Sequence, residues 1–249
     1  MALLEAKDIY RSFQGFLALA GVSLSVAEGS FHALVGPNGA GKTTLFNVIT
    51  GRLRPDRGRI TYEGREITGW PTFRIARMGL AISFQRAQPF LSMTVLEAVA
   101  VARLGYQGRT FTLLRPLRDF KEALAQAEEA LQKVGLEKQT SKRVSELPLG
   151  DLKRLDVAIA LAGRPKLLLL DEPLAGLSRA ERREMVAFIR ELLRKEGVTL
   201  LFTEHDTEAV LHLADRITVL HQGRVLAEGS PEEIRQNAEV RAAFLGGGA

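Results

Sequence analysis

Residues 36 to 43 read Gly36-Pro37-Asn38-Gly39-Ala40-Gly41-Lys42-Thr43, an uninterrupted G-x-x-x-x-G-K-[ST] pattern. That pattern constrains the fold because it works only as a tight loop between a strand and a helix. Both flanks are present. The apolar run Phe31–Val35 precedes it and the helix-like stretch Thr44–Thr50 follows. A loop poor in side chains lets backbone N–H groups converge on a dense anion, and the following helix adds its positive end. Lys42 is then placed to reach the β- and γ-phosphates of a nucleoside triphosphate, and the Thr43 hydroxyl to hold Mg²⁺.

The remainder reads as α/β. Short apolar runs at Leu3–Tyr10, Val22–Val26 and Ile60–Tyr62 predict a small sheet, and 79–84 predicts another buried strand. From about residue 92 to 162 the pattern turns helical, with apolar spacing near 3.6 in 94–103 and Asp119–Val134 and an irregular excursion at 105–116. Strands and helices then alternate: 166–170, Ala180–Lys195, Thr199–Thr203, 206–213 and 216–220. The expected class is a mostly parallel core with a helical insertion.

A second group of chemical residues follows four leucines. Leu167–Leu170 reads as a central parallel strand buried on both faces, and it runs into Asp171 and Glu172. The carboxyl end of such a strand opens on the ligand crevice. Asp171 there can hold Mg²⁺ and Glu172 can polarise an attacking water. Gln85, just past the strand ending at Phe84, is a further Mg²⁺ or water ligand. His205, just past Thr199–Thr203, is placed for the γ-phosphate, with a structural histidine as the alternative. Phosphoryl transfer asks a protein for this inventory of metal ligands, cations and a placed nucleophile.

Composition narrows the classes. With 46% hydrophobic and 25% charged residues the chain is ordinary for a globular domain, and the absence of cysteine excludes disulfides, thiolate zinc sites and thiol catalysis. The net charge of +5 is spread among acids without a basic run, which favours a solvated surface over a nucleic-acid face. No charged-then-apolar leader and no apolar run near the ~20 residues that span a bilayer are present, so the expected location is cytoplasmic.

Taken in order, these pieces resemble the ATP-binding subunit of an ABC transporter along nearly the whole chain. They are the loop at 36–44, Phe84-Gln85, a helical subdomain, a signature-like segment at 147–151, Asp171-Glu172, a D-loop-like 175–178 and His205 after Thr203-Glu204. The resemblance implies a P-loop NTPase core with a parallel sheet, a small antiparallel β subdomain and a helical subdomain insertion. One ABC ATPase domain would cover 1–249, with 1–85 and 165–249 as the nucleotide-binding core and 86–164 as the helical subdomain.

It also implies roles. Gly36, Pro37, Asn38, Gly39, Ala40, Gly41, Lys42, Thr43 and Thr44 bind nucleotide. Thr43, Gln85 and Asp171 serve Mg²⁺, Glu172 activates water, and His205 senses the γ-phosphate. Phe13 stands where the family places an aromatic that stacks on adenine, with core packing as the alternative. Two ATP molecules would lie between two subunits, identical or different, each signature segment facing the other's nucleotide.

Two segments depart from the family pattern. The usual L-S-G-G-Q signature is here Leu147-Pro148-Leu149-Gly150-Asp151, which removes a hydroxyl at Pro148 and a flexible glycine at Leu149. The usual D-loop aspartate is Ser178. Gly150 and a following helix at 152–160 remain able to offer backbone donors.

Within the family, the segment 104–134, Leu174–Ser178 and the tail at 229–246 look most like subunits that power import of branched-chain amino acids. A lipopolysaccharide-export ATPase is the alternative inside the family. Outside it stand a soluble nucleic-acid ATPase, which usually carries two modules or a long coiled coil, and a small-molecule kinase. The implied partners are membrane permease subunits, a second ATPase subunit and, indirectly, an external solute-binding protein, with no nucleic acid. The chain would lie peripherally on the inner face of the membrane. Arg86–Met93, with Pro89, Phe90 and Leu91 as apolar contacts, is the expected surface toward the permease.

Overall fold

A computed structural model describes residues 1–83, 91–108 and 115–245. The chain forms two compact units, Met1–Ile75 joined by the chain from Thr199 onward, and Ala76–Val198.

In the first unit, β1 (Ala2–Phe13) and β2 (Phe16–Ala27) form an antiparallel hairpin in which Phe13 lies opposite Phe16. One face is buried, through Leu4, Ala6 and Ile9 on β1 and Leu19, Val22, Leu24 and Val26 on β2. This is the alternation of a sheet with one dry side. After β3 (Phe31–Val35) and α1 (Lys42–Ile49), β4 (Arg57–Tyr62) and β5 (Arg65–Glu66) complete this sheet in the order β2-β1-β4-β5. The short α2 (Thr72–Arg77) follows.

β3 belongs to a second sheet. It runs parallel to β8 (Thr199–Thr203) and to β9 (Arg216–His221), with His32 opposite both Leu201 and Arg216. All five residues of β8 are buried, as expected of a strand covered on both faces. β8 and β9 flank β3 in parallel, and α7 (Thr207–Leu213) supplies the crossover that joins them. β10 (Arg224–Gly229) returns antiparallel to β9, and α8 (Pro231–Gln236) and α9 (Ala238–Leu245) end the described chain. β10, α8 and α9 carry no periodic apolar signal of their own. α8 starts at a capping box, Ser230 with Glu233, with Pro231 in its first turn.

His32 shows how dry this interior is. Fully buried, its Nε2 lies 2.8 Å from Thr218 Oγ1, while Nδ1 is buried without a hydrogen-bond partner. Burial pushes its pKa down to about 4, so the ring is neutral.

In the second unit, β6 (Leu80–Ser83) pairs in parallel with β7 (Leu167–Asp171), from Leu80 opposite Leu167 to Ser83 opposite Leu170. The four leucines of β7 are completely buried. α3 (Val95–Tyr106), α4 (Lys121–Lys133) and α5 (Leu149–Leu161) pack on one another, and α6 (Arg179–Lys195) follows β7. Ala123, Ala127, Ala130 and Leu131 form the buried stripe of α4. α3 and α6 each start at a capping box, Thr94 with Glu97 and Ser178 with Glu181. Among the described residues no helix is long and apolar enough to cross a membrane.

The helix of the signature segment begins earlier than its apolar periodicity predicts. It starts at Leu149 rather than Leu152, so Leu149, Gly150 and Asp151 are its first turn. Pro148 is the reason. Its ring fixes φ at −64°, and its carbonyl accepts the first helical bond from Leu152 N–H at 3.0 Å.

Candidate functional site

The phosphate-loop residues follow β3, and the structure shows what holds them. The turn between β9 and β10 is the clasp. Gly223 N–H donates to Ala40 O at 3.0 Å, and a Cβ on Gly36 would come within 2.2 Å of Leu220 O. Gly41 has φ +106° and caps α1, and a Cβ there would meet Ala18 O at 2.7 Å. The loop is thus seated backbone against backbone, and the first-turn N–H groups of α1, which no helix can satisfy internally, face its open side. Lys42 is buried at 7% exposure, and its ammonium donates to Gly36 O at 2.6 Å and Pro37 O at 3.1 Å, across the loop. Thr43 is exposed, so its hydroxyl is accessible, and Thr44 is half-buried.

His205 joins this group. β3 and β8 are parallel with Leu34 opposite Thr203, so Gly36 and His205 both lie just past the carboxyl ends of neighbouring strands. They line one cavity of about 280 Å³ together with Val35, Glu204 and Thr207. His205 is exposed, its backbone N–H donates to Glu204 Oε2 at 3.1 Å, and Asp206 next to it caps α7 through Ala209 N–H at 3.0 Å. Phe13 is in the same unit. At 39% exposure it is outside the core, and the Arg11 guanidinium lies over its ring at 4.9 Å.

The other candidates are in the second unit. Asp171 is the last residue of β7 and Glu172 the first beyond it, both half-buried. Glu172 has φ +50°, a left-handed conformation that is uncommon for a residue with a side chain. Its carbonyl lies 3.5 Å from Lys153 Nζ on α5. Ser83, opposite Leu170, places the end of β6 beside the end of β7, whereas Gln85 lies outside the described residues. Arg86, Pro89 and Phe90 of the expected permease surface also lie outside them, and Leu91 is exposed.

In the signature segment Leu147 is buried, Pro148 caps α5 and is exposed, Leu149 is 43% exposed and Gly150 is half-buried. The Asp151 carboxylate accepts a hydrogen bond from Gln139 Nε2 at 2.8 Å. Ser178 is the N-cap of α6, a role its hydroxyl fills as an aspartate would.

As metal ligands, the Thr43 hydroxyl and the Asp171 carboxylate are hard oxygen donors of the kind Mg²⁺ prefers. Among the described residues no group of three or more His, Asp or Glu could hold a metal.

Sequence reasoning missed three contributors. The clasp at Leu220–Gly223 carries a turn signal, Gln222-Gly223, but nothing in it indicates its partner. Lys153 and the contact of Leu149 with Gly176 have no sequence signal at all.

Comparison with known proteins identifies the family and the fold. The ABC transporter family profile matches residues 19–175, and that of the branched-chain amino acid ATP-binding cassette transporters matches residues 224–249. The chain is 41% identical to the high-affinity branched-chain amino acid transport ATP-binding protein LivG of Salmonella typhimurium, over 98% of each chain. It is 39% identical to the corresponding protein BraF of Pseudomonas aeruginosa, again over 98% of each. An ATP-binding cassette of an ABC transporter, solved in its ADP conformation, superposes with a TM-score of 0.89 at 30% identity, over 99% of both chains.

Proposed function

The chain belongs to the ABC transporter family as an ATP-binding, ATP-hydrolysing subunit, and on that premise we propose that it powers uptake of branched-chain amino acids through separate membrane permease subunits. What supports the substrate class is the full-length identity to LivG and BraF together with the family tail at 224–249. The chain then works at the inner face of the membrane, paired with a second ATPase subunit, and a solute-binding protein delivers the amino acid from outside. Within it, 1–85 and 165–249 act as the nucleotide-binding core and 86–164 as the helical subdomain.

The roles follow from the chemistry of each position. The loop 36–44 receives the phosphates through its backbone donors and the first turn of α1, and Phe13 offers a ring to the adenine. Lys42 exchanges neutral carbonyl acceptors for anionic phosphate oxygens, so that both partners of the bond are charged. Thr43, Gln85 and Asp171 are the protein ligands for Mg²⁺, which when bound neutralises charge on the β- and γ-oxygens. Glu172 accepts the proton of the attacking water. His205, aligned with the loop on neighbouring strands, contacts the γ-phosphate and reports its presence. The signature segment serves the partner's nucleotide through the backbone of Gly150 and the N-terminal turn of α5.

The test is uptake of labelled leucine into proteoliposomes that hold the permease subunits, the second ATPase and this chain, with the binding protein outside and MgATP inside. Uptake that requires this chain and ATP is expected. Equal uptake without it, or none of leucine, isoleucine or valine, would overturn the assignment.

A further inference from the structure

The segment that carries Glu172 is gripped by one face of the signature helix. Glu172 has φ +50°, a strained conformation for a non-glycine residue that persists only where the surroundings favour it. A turn bond from Ala175 N–H to Glu172 O at 3.1 Å closes the segment on itself, and two residues of α5 contact it from outside. Lys153 Nζ is 3.5 Å from Glu172 O, a long contact in which the ammonium faces the carbonyl dipole. Further along, Gly176 has φ +83°, and a Cβ there would lie 2.9 Å from Leu149 Cδ2, so the leucine side chain rests directly on its backbone. Leu149 and Lys153 are four residues apart, and in a helix that spacing puts them on one face. The far end of the segment is tied separately. Arg182 Nε donates to Leu177 O at 2.9 Å, and the Ser178–Glu181 capping box anchors α6.

We propose that Leu149 and Lys153 are positioning residues for ATP hydrolysis, a clamp from the first turns of α5 that sets the orientation of Glu172 through the backbone of 172–176. The proposal rests on the reading of Glu172 as the group that activates water. It gives Leu149 a purpose in a place where the family has a flexible glycine, since the side chain gained at 149 fills the space left by the hydrogen at Gly176. It also gives α5 two tasks. The turn that carries Pro148 to Asp151 toward another subunit's nucleotide is the same turn that holds this chain's own glutamate. A displacement of the α5 N-terminus therefore reaches Glu172 within one chain, with no loop between.

The experiment measures ATP turnover by the reconstituted transporter. Lys153→Met keeps the aliphatic stem and removes the donor. It should lower kcat about tenfold or more with KM for MgATP unchanged, as misplacement of a catalytic group does. Lys153→Arg should restore most of the rate. Leu149→Ala, which removes the packing on Gly176 without touching charge, should also lower kcat and leave KM alone, and it carries the test if Lys153→Met does not fold. In a Glu172→Gln background, read by single turnover, neither substitution should slow the residual rate further.

Three results overturn the clamp. If Glu172→Gln turns over normally, the reading of Glu172 falls and the clamp with it. If Glu172→Gln is inactive while Lys153→Met and Leu149→Ala keep the normal kcat, only the clamp falls. If either still slows the residual reaction without Glu172, it acts by another route and is not a clamp on that residue.

Discussion

The phosphate loop and the Glu172 segment solve the same mechanical problem by different means. Both are short turns after a parallel strand, and both must hold an unusual backbone path. The loop is held by main chain. Gly223 N–H bonds Ala40 O, Leu220 O abuts Gly36, and Ala18 O abuts Gly41. The Glu172 segment has its own turn bonds, Ala175 N–H to Glu172 O at 3.1 Å and Leu177 N–H to Leu174 O at 3.2 Å. Its contacts with the neighbouring helices come from side chains, Lys153 on one carbonyl, Leu149 on Gly176 and Arg182 on Leu177 O. Backbone seating fixes residue identity, because only glycine fits. Side-chain seating fixes contacts, which several residue types can make. The departures at Pro148 and Leu149 lie at the start of α5, whose Leu149 rests against Gly176, and Ser178 closes the second segment.

The largest effect should separate binding from chemistry. Glu172→Gln should reduce turnover about 10²–10⁴-fold while MgATP still binds, the range expected for loss of a general base. Lys42→Ala should instead weaken equilibrium binding of MgATP. If Glu172→Gln lost nucleotide affinity as severely as Lys42→Ala, the division of labour between the two regions would be wrong.

Next come two buried ionisable groups, one in each unit, with opposite signs. Asp156 on α5 has its pKa pushed up to about 7 by burial, partly offset by the Lys153 charge. The unfolded chain then binds fewer protons than the folded one between about pH 4 and 7. Stability falls as pH rises through that window, by about 4 kcal/mol in total. His32, held down to about 4 by burial, does the reverse. Its unfolded form binds more protons between about pH 4 and 6.5, so stability is full above that range and is lost toward pH 4, by about 3 kcal/mol. Denaturant midpoints against pH should therefore show partial cancellation in the wild type. Asp156→Asn should leave stability that rises from pH 4 to 6.5, and His32→Gln stability that falls from pH 4 to 7. Identical pH profiles for the three proteins would remove both groups from the account.

Gly41→Ala tests backbone seating directly. The added Cβ meets Ala18 O and the φ of +106° is strained, so a loss of about 1–3 kcal/mol in unfolding free energy with weakened nucleotide binding is expected. Leu149→Ala, on the side-chain-seated segment, should cost turnover without costing nucleotide affinity. The smallest effect belongs to Ser178. Ser178→Ala removes an N-cap and should cost about 1 kcal/mol, and Ser178→Asp should recover it, measured by thermal unfolding. A full cost with aspartate would mean that the serine does more than cap α6.

Much of this molecule was legible before its structure. The four-leucine strand and the helices expected at 94–103 and 180–195 carry local signals, and the structure has them at Leu167–Asp171, Val95–Tyr106 and Arg179–Lys195. α8 begins at a Ser-Pro-Glu-Glu capping box that a linear reading can find, whereas β10 and α9 carry no periodic apolar run and were not legible. The same is true of the clasp at Leu220–Gly223, which lies some 180 residues from the loop it holds.

By itself, the sequence determined that this chain cradles a triphosphate, because the close approach of backbone to phosphate demands glycines at set intervals and a lysine and a hydroxyl directly after them. It determined the parallel core in the same way, since a strand covered on both faces must be apolar throughout. Only the tertiary structure decided how the altered signature is used. Leu149 and Gly176 are 27 positions apart, and a leucine packed on a glycine leaves no periodicity, motif or charge pattern for a linear reading to find.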